Sequence, residues 1–241
     1  MKNKGKTLYL YGDDIGKVEL VQAVGNDLSV VNAARVSFGV EKKKLDEKDK
    51  KLINYLVKHK HTSTLEHCFL TFKFVVPLFV RSQHHRHRTW SYNEISRRYT
   101  DVDIQFYEPK SFRTQHETNR QASNEDRVNP NLAEYKNLPL PTPATLASDA
   151  VMWHHRRSLD LFNKLLDNGV CREQARGVLP QNLYTTYIGS VNLNNLVKFI
   201  SLRDHEGAQW EIQQAAKACL ELAQEHFPYT IAAYRENHQG H

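Results

Sequence analysis

Cysteine is scarce in this sequence, and the three that occur lie far apart, at Cys68, Cys171 and Cys219. No two of them form a CxxC pair, so neither a disulfide framework nor a thiolate zinc site is predicted. None lies in an obvious activating context for a thiolate nucleophile, and Cys219 falls on an apolar helical face where an inert thiol is expected. The shortage is typical of a reducing compartment, and we expect a cytoplasmic protein.

Long apolar runs are also absent. No segment approaches the roughly 18 consecutive apolar residues that indicate a membrane span. The first residues, MKNKGKTLYLYGDD, contain no apolar signal core. We therefore expect neither secretion nor membrane insertion. The chain also lacks a GxGxxG fingerprint after a strand, so no motif identifies a preferred reductant.

What remains is the composition of a globular protein with an excess of basic residues. The 241 residues are 40% hydrophobic and 25% charged, which is ordinary for a chain with a real core. The formal net charge is +6. This excess favours anionic ligands such as nucleotides, folate-like polyglutamates or nucleic acid, and does not choose among them.

Periodicity along the chain predicts an α+β fold in which helices outnumber strands and do not alternate with them regularly. Strands are predicted over 7–11, 18–24, 68–76, 102–107 and 182–191. Helices are predicted over 28–36 with Asp27 as N-cap, 52–57, from 78 onward after Pro77, 145–168, 171–178, 193–202 and 208–226, where Pro228 ends the last one. We expect one domain, 1–241, with a polar surface excursion over about 110–143.

Residues 83–99, QHHRHRTWSYNEISRRY, concentrate chemistry that folding seldom needs. Four arginines occur together with three histidines and a single acid, Glu94. Arginines are rarely buried without a partner, and their planar forks suit phosphate and carboxylate groups. The stretch therefore predicts an anion site, although a solvated basic helix end is the plain alternative.

Two other kinds of site fit this stretch less well. His84, His85 and His87 could suggest zinc, but the interleaved Arg86 and Arg88 would repel a dication, so we expect no metal. Nucleic-acid binding is the main competitor because arginines and tyrosines occur together. No recognised nucleic-acid motif is present, and a basic nucleotide- or nucleic-acid-binding protein without catalysis stays the alternative.

The motif at 86–98 resembles the signature of one enzyme family. Arg86-His87-Arg88, seven residues, then Ser96-Arg97-Arg98 fits RHR-x7-S-x-R, which is similar to the signature of the flavin-dependent thymidylate synthases, the ThyX family. Segments 24–38, 61–67, 172–185 and 201–214 also resemble that family. Only about 108–145 lacks a clear counterpart.

The resemblance implies a fold and a reaction. It implies a ThyX-like fold with a central, mostly antiparallel sheet flanked by helices. The implied enzyme is a methyltransferase that converts dUMP to dTMP with 5,10-methylenetetrahydrofolate as carbon donor and NADPH-reduced FAD as hydride source, without a cysteine nucleophile. It also implies a homotetramer whose FAD sites lie where subunits meet, and it implies neither nucleic acid nor membrane as a partner.

The resemblance also assigns residues by matching positions. It places FAD at Ser63, Arg86, His87, Arg88, Glu94, Asn192, Leu193, Asn194 and Lys198, and places His61 near flavin and folate. It places dUMP at Gln83, His84, His85, Arg86, Glu94, Ile95, Ser96, Arg97, Arg98, Arg176 and Arg203. Arg203 matches the arginine that polarises the uracil ring and is the predicted catalytic residue. A cation fixed near uracil N3 would stabilise charge that develops on the ring.

Several positions depart from the family pattern or admit simpler explanations. Lys198, Gly207 and the pair His84-His85 differ from residues common in relatives. Arg176 could simply pair with Glu173, and Glu94 could simply neutralise Arg98 one helical turn away. Ser96 could be read as a nucleophile, but only Glu94 lies near it as a base, so a phosphate or sugar contact is favoured.

Overall fold

A computed structural model of the protein describes residues 6–132, 140–142 and 145–238. Part of the predicted polar excursion, residues 133–139 and 143–144, lies outside the described residues. The described chain forms seven strands, which are β1 Thr7–Tyr9, β2 Lys17–Val24, β3 Phe69–Pro77, β4 Ser91–Glu94, β5 Phe112–Gln115, β6 Ser123–Val128 and β7 Tyr184–Asn192. It forms eight α-helices, which are α1 Asp27–Arg35, α2 Glu47–Lys58, α3 Leu78–His84, α4 Ala147–Asp167, α5 Arg172–Ala175, α6 Leu193–Arg203, α7 Trp210–Gln224 and α8 Pro228–His238.

Five of the strands form one sheet in the order β1-β2-β3-β7-β4, and β5 and β6 form a separate hairpin. The β1–β2 and β2–β3 pairs are antiparallel. Strand β3 shows why this segment is a central strand: Leu70, Phe72, Phe74 and Val76 alternate with more exposed residues and are fully buried. Period-two burial of large apolar side chains is the pattern of a strand with one face on a core. The predicted α+β fold, with a mostly antiparallel sheet flanked by helices, is confirmed.

The described chain divides into two compact units. Among the described residues, unit one comprises 6–75, 82–93 and 186–238, and unit two comprises 76–81, 94–132, 140–142 and 145–185. Unit one contains helices α1, α2, α6, α7 and α8, whose buried side chains include Ile53, Phe199 and Ile212. Unit two contains α4, α5 and the β5–β6 hairpin, with Phe162 fully buried on α4.

The start of α1 corrects one prediction. Asn26, not Asp27, is the N-cap of this helix, since its side chain accepts hydrogen bonds from the amides of Leu28 and Ser29. Asp27 is buried and its carboxylate instead accepts hydrogen bonds from Tyr229 N at 2.8 Å, Thr230 N at 3.0 Å and Thr230 Oγ1 at 2.6 Å. The carboxylate thus caps α8 from a distant part of the sequence, which local pattern cannot reveal.

The structure differs from the predicted elements at four other places. Residues 102–107 form no strand and contribute only an isolated bridge between Phe106 and Leu183. Pro228 begins α8 as well as following α7, because proline is favoured at a first helical position. Strand β4 lies inside the basic stretch and was not predicted. Within the excursion, β5 and β6 pair as an antiparallel hairpin.

Candidate functional site

One cavity in unit two brings together residues that the sequence separates by about eighty positions. Its volume is about 520 Å³, within the ~300–1,000 Å³ usual for small-molecule sites. Five predicted dUMP contacts line it, namely Glu94, Ile95, Ser96, Arg97 and Arg176. The β4 end, the turn after it and the helical turn 176–178 supply these side chains.

Glu94 is the acid of this cavity, and its carboxylate is held at one oxygen. Oε1 accepts a hydrogen bond from Thr185 Oγ1 at 2.7 Å and lies 3.2 Å from Arg81 Nε. The simpler explanation, that Glu94 neutralises Arg98, is wrong: the cation beside Glu94 is Arg81. The acid therefore stands in the cavity with a fixed orientation.

Arg176 is the cavity arginine whose guanidinium makes no hydrogen bond or ion pair with any residue in the described part of the chain. The alternative that it pairs with Glu173 is wrong, because Glu173 Oε2 lies 3.0 Å from Arg98 Nη2. Arg98 is exposed and does not line this cavity. A guanidinium with free donors beside a cavity is suited to a phosphate oxygen.

Arg97 and Ser96 shape the turn that follows β4. Arg97 donates from Nη1 to Val102 O at 2.6 Å and from Nη2 to Asp103 O at 3.3 Å. Burial lowers the pKa of Arg97 from its ordinary value, and Asp103 has a positive φ of 53°. Ser96 Oγ accepts a hydrogen bond from Arg98 N at 3.2 Å, so this hydroxyl takes part in the turn.

Unit one contains the other end of the basic stretch, beginning with a buried histidine. His84, the last residue of α3, is 1% exposed and its Nδ1 lies 2.8 Å from Tyr187 Oη. Five aromatic side chains surround the ring, those of Phe74, Trp90, Tyr92, Tyr187 and Phe199. Burial, followed by His87, lowers the pKa of His84 well below its ordinary value. His85 stacks on Tyr92 at 4.0 Å. His84 is thus a core residue here, and its predicted dUMP contact stays a prediction.

Arg203 and His87 form a directed pair in unit one. Arg203, the last residue of α6, donates from Nε to His87 Nε2 at 3.1 Å and from Nη2 to Gln83 O at 3.3 Å. Burial, and then the charge of Arg203, lower the pKa of His87 to about 4. His87 is therefore neutral near pH 7, with Nε2 as acceptor and its proton on Nδ1. Gln83 in turn donates from Nε2 to Gln209 Oε1 at 2.6 Å.

Arg86 and Arg88 flank His87 and are both exposed. Neither forms an ion pair with a carboxylate within the described ranges 6–132, 140–142 and 145–238. Arg86 lies near enough to Arg203 to contribute to lowering the pKa of Arg203, after burial as the larger cause. Because the charge of Arg86 has no carboxylate partner among the described residues and lies near a second arginine, an anionic ligand would be bound favourably here.

The N-terminal end of α6 contains most of the remaining predicted FAD residues. Asn192 caps the helix by accepting a hydrogen bond from Asn195 N at 2.9 Å. Asn194 is buried and donates from Nδ2 to Glu66 Oε1 at 2.8 Å, while Leu193 is fully buried. These bonds fix the helix start against the loop that precedes β3, whereas Lys198 stays exposed.

His61 and Ser63 lie in that loop, between α2 and β3, and both are exposed. The His61 ring stacks on Tyr55 at 5.6 Å. Ser63 makes no side-chain hydrogen bond within the described residues, so its hydroxyl is available to a ligand.

Among the cavity residues that were not predicted from the sequence are the two that contact Glu94, namely Arg81 and Thr185. Arg81 lies on α3, five positions before Arg86, and a basic residue on a short helix between an apolar strand and a basic motif is a signal that could have identified it. Thr185 offers no such signal, since threonine is common in strands. Only the pairing of β7 with β4 in the sheet brings it beside Glu94.

The cysteines are unsuited to nucleophilic catalysis where they are buried. Burial raises the pKa of Cys68 to about 11 and that of Cys219 further. The thiol rather than the thiolate is therefore present near pH 7. Cys171 is exposed and its Sγ lies 3.6 Å from Gln174 Oε1. In the cavity of unit two, none of the lining residues is a cysteine.

Comparison with known proteins now decides the family. The family model described as "Thymidylate synthase complementing protein" matches residues 19–229. The chain is 41% identical over 227 residues to a flavin-dependent thymidylate synthase of Thermus thermophilus, covering 93% of this chain and 77% of that protein. It is also 41% identical over 221 residues to one of Thermotoga neapolitana, covering 92% and 91%. The chain belongs to the flavin-dependent thymidylate synthase family.

Solved structures agree with this family assignment. A UMP/dUMP methylase, PolB from Streptomyces cacaoi, bound with 5-Br dUMP, is 28% identical with a TM-score of 0.78, covering 96% of this chain and 99% of that one. The same protein bound with 5-Br UMP superposes with a TM-score of 0.76 at 27% identity, covering 98% and 96%. No helix among the described residues has both the length and the apolar character needed to cross a bilayer.

Proposed function

We propose that this chain is a thymidylate synthase that methylates dUMP to dTMP with FAD as its redox cofactor. The observation that carries the proposal is the cavity of unit two, in which an unpaired guanidinium, a fixed carboxylate and a serine hydroxyl line about 520 Å³. Family membership and the analogue-bound methylase structures support the same substrate class. A nucleoside monophosphate presents groups that match these three kinds of side chain.

Three charged side chains of the cavity have distinct parts in binding dUMP. Arg176 carries free donors for the phosphate dianion, which a planar fork can bind through two oxygens. Glu94 can only accept, so it takes a hydrogen bond from a sugar hydroxyl or a uracil N–H. Arg97 gives its donors to the backbone of residues 102 and 103, so it contributes positive charge and the shape of the turn.

The residues of unit one fit the anionic part of FAD. Arg86 and Arg88 are exposed and have no carboxylate partner in the part of the chain that is described, which suits a pyrophosphate. Ser63 offers a free hydroxyl, and α6 offers Asn192, Leu193, Asn194 and Lys198 as further predicted contacts. When bound, FAD supplies the hydride chemistry that no side chain of the protein can supply.

Arg203 is proposed as the catalytic residue because it is a fixed cation that keeps its charge. Its Nε donates a hydrogen bond to His87 and its Nη2 donates one to the carbonyl of Gln83, so the guanidinium is oriented before any ligand binds. A preorganised donor stabilises charge that develops on uracil, and removing one such donor typically costs ~3–4 kcal/mol of barrier. His87, neutral and an acceptor, holds this arginine without competing for an anion.

The remaining assignments are part of the proposal. We infer 5,10-methylenetetrahydrofolate as carbon donor, NADPH as reductant, a homotetramer with FAD sites at subunit interfaces, and a single functional domain in the cytoplasm. His61 near flavin and folate, and Gln83, His84, His85, Arg86, Ile95 and Arg98 as dUMP contacts, stay predictions of the same kind.

The test begins with the absorbance spectrum of the purified protein after addition of FAD and removal of the excess. Flavin bands near one per chain, bleached by anaerobic NADPH, are expected. Conversion of dUMP to dTMP with methylenetetrahydrofolate should then be measured in the wild type and in Arg203→Ala, with loss of turnover expected in the variant. A protein that retains no FAD, or that retains FAD and forms no dTMP, would overturn the proposal.

A further inference from the structure

Two side chains that were not among the predicted site residues, Arg81 and Thr185, contact the Glu94 carboxylate. We propose that they are positioning residues for dUMP binding. They act by fixing the Glu94 carboxylate in the cavity of unit two. This inference rests on the proposed function, because it names how the proposed nucleotide site obtains its geometry.

Both residues act on the same carboxylate oxygen. Thr185 Oγ1 donates to Glu94 Oε1 at 2.7 Å, and Arg81 Nε lies 3.2 Å from that oxygen. Glu94 Oε2 has no hydrogen-bond partner among the described residues. Because contacts at Oε1 fix the orientation of the carboxylate, Oε2 is held in one position, from which it can accept a hydrogen bond from a ligand.

The two supporting side chains are themselves held in place. Thr185 is 4% exposed at the start of β7, and a β-branched side chain in a strand has few rotamers. The Arg81 side chain is 30% exposed and that of Glu94 is 24% exposed, so both charges are largely removed from water. The Arg81 Nε atom is buried and its approach to Oε1 is not aligned as a hydrogen bond. The hydrogen bond from Thr185 thus fixes the orientation of the Glu94 carboxylate, and the positive charge of Arg81 stabilises its negative charge.

Such an arrangement serves recognition more than folding. A binding group must be held within roughly 0.5 Å of its productive position by neighbours that are locked in turn. If the Glu94 carboxylate could rotate, its open oxygen would sample positions in which a sugar hydroxyl or uracil N–H finds no acceptor. Removing Thr185 Oγ1 is therefore expected to lower the affinity for the nucleotide more than it lowers the stability of the fold.

The experiment compares threonine-to-valine changes at two buried sites. Thr185→Val removes the hydroxyl that contacts Glu94, and Thr230→Val removes the buried hydroxyl that donates to Asp27 Oδ1 at 2.6 Å in unit one. Affinity of the full chain for dUMP is measured by calorimetry, and Tm is measured for each variant. Thr185→Ser, Arg81→Gln and Arg81→Lys complete the set.

The expected results separate positioning from folding. Thr185→Val should weaken dUMP binding by about tenfold or more, as expected for losing a hydrogen bond to a charged group, and Thr185→Ser should restore most of the affinity. Thr230→Val should lower Tm and leave the dUMP affinity unchanged. Arg81→Gln should weaken binding more than Arg81→Lys does, because lysine keeps the charge.

Failure of this inference differs from failure of the proposed function. A wild type that binds no dUMP overturns the proposed function. A wild type that binds dUMP, with Thr185→Val or Arg81→Gln binding equally well, overturns the positioning role alone. Equal weakening by Thr185→Val and Thr185→Ser would overturn the role of the hydroxyl, since serine keeps it.

Discussion

Asp27 in unit one and Glu94 in unit two are two acids with opposite uses of their oxygens. Asp27 accepts hydrogen bonds from two amides and a hydroxyl, distributed over Oδ1 and Oδ2. Glu94, which lines the cavity of unit two, receives both contacts at Oε1, and its Oε2 has no hydrogen-bond partner among the described residues. An acid with both oxygens occupied stabilises the fold, whereas a fixed acid with one oxygen unoccupied is equipped to bind a ligand.

The largest effect that would test this contrast is the loss of the Asp27 carboxylate. Asp27→Ala leaves the amides of Tyr229 and Thr230 without their acceptor, and buried polar groups without partners cost about 1–3 kcal/mol each. We expect the free energy of unfolding to fall by about 3 kcal/mol. Urea denaturation measures it, with Asp126→Ala on exposed β6 as the control.

A second effect of similar kind is predicted for Asp49, which lies buried at the start of α2. Burial alone would raise the pKa of this carboxyl from 3.8, but hydrogen bonds from Lys42 and Arg35 outweigh it and lower the pKa to about 2. The folded pKa is depressed, so the stabilisation is present above about pH 4 and is lost as the pH falls toward 2. It amounts to about 2 kcal/mol.

The check on Asp49 is the pH dependence of stability. Urea unfolding of the wild type should show a free energy that declines between about pH 4 and pH 2, and Asp49→Asn should be less stable at pH 7 with a shallower decline. An identical slope in both proteins would contradict the role assigned to this carboxylate.

How much of this could be predicted from the sequence depends on the range of the interaction. The basic motif, the strand at β3 and the α+β class follow from local pattern and periodicity, since residues 68–76 alternate in burial as predicted. Asp27 was misread because its partners lie about 200 residues away. Glu94 is a similar case: the simpler alternative paired it with the nearby Arg98, whereas its actual neighbours, Arg81 and Thr185, lie farther along the chain.

The site residues also divide into those that local sequence predicts and those that only tertiary contacts reveal. The motif placed Glu94, Ile95, Ser96 and Arg97 together because they are adjacent in the chain, and resemblance added Arg176. Strand β4 was hidden because its residues, SYNE, are too few and too polar to show a period of two. Which arginine stays unpaired depends on tertiary pairing, and no local signal distinguishes Arg176 from Arg98.

A third test concerns Arg176, whose loss should lower dUMP affinity without lowering stability, whereas the loss of Asp27 should lower stability. Arg176→Ala should weaken dUMP binding at least about tenfold, because a charge-assisted contact to phosphate is lost, and should leave the free energy of unfolding within about 0.5 kcal/mol of the wild type. Calorimetry with dUMP and urea unfolding on the same samples give both numbers. Arg120→Ala, an exposed arginine of the β5–β6 turn, is the matched control. Destabilisation without loss of affinity would remove Arg176 from the binding role.

The smallest expected effect concerns the ion pair between Arg98 and Glu173, whose side chains are 52% and 56% exposed. Exposed pairs contribute about 0–1 kcal/mol, because water screens the charges and ordering two long side chains costs entropy. A double-mutant cycle with Arg98→Ala and Glu173→Ala should give a coupling energy below about 0.5 kcal/mol that shrinks further in 0.5 M salt. Since Arg98 lies outside the cavity, Arg98→Ala should weaken dUMP binding less than Arg176→Ala does. If Arg98→Ala weakened dUMP binding more than Arg176→Ala did, the phosphate would be bound at Arg98. The rule that side chains without a protein partner bind the ligand, and paired side chains do not, would then be wrong for this site.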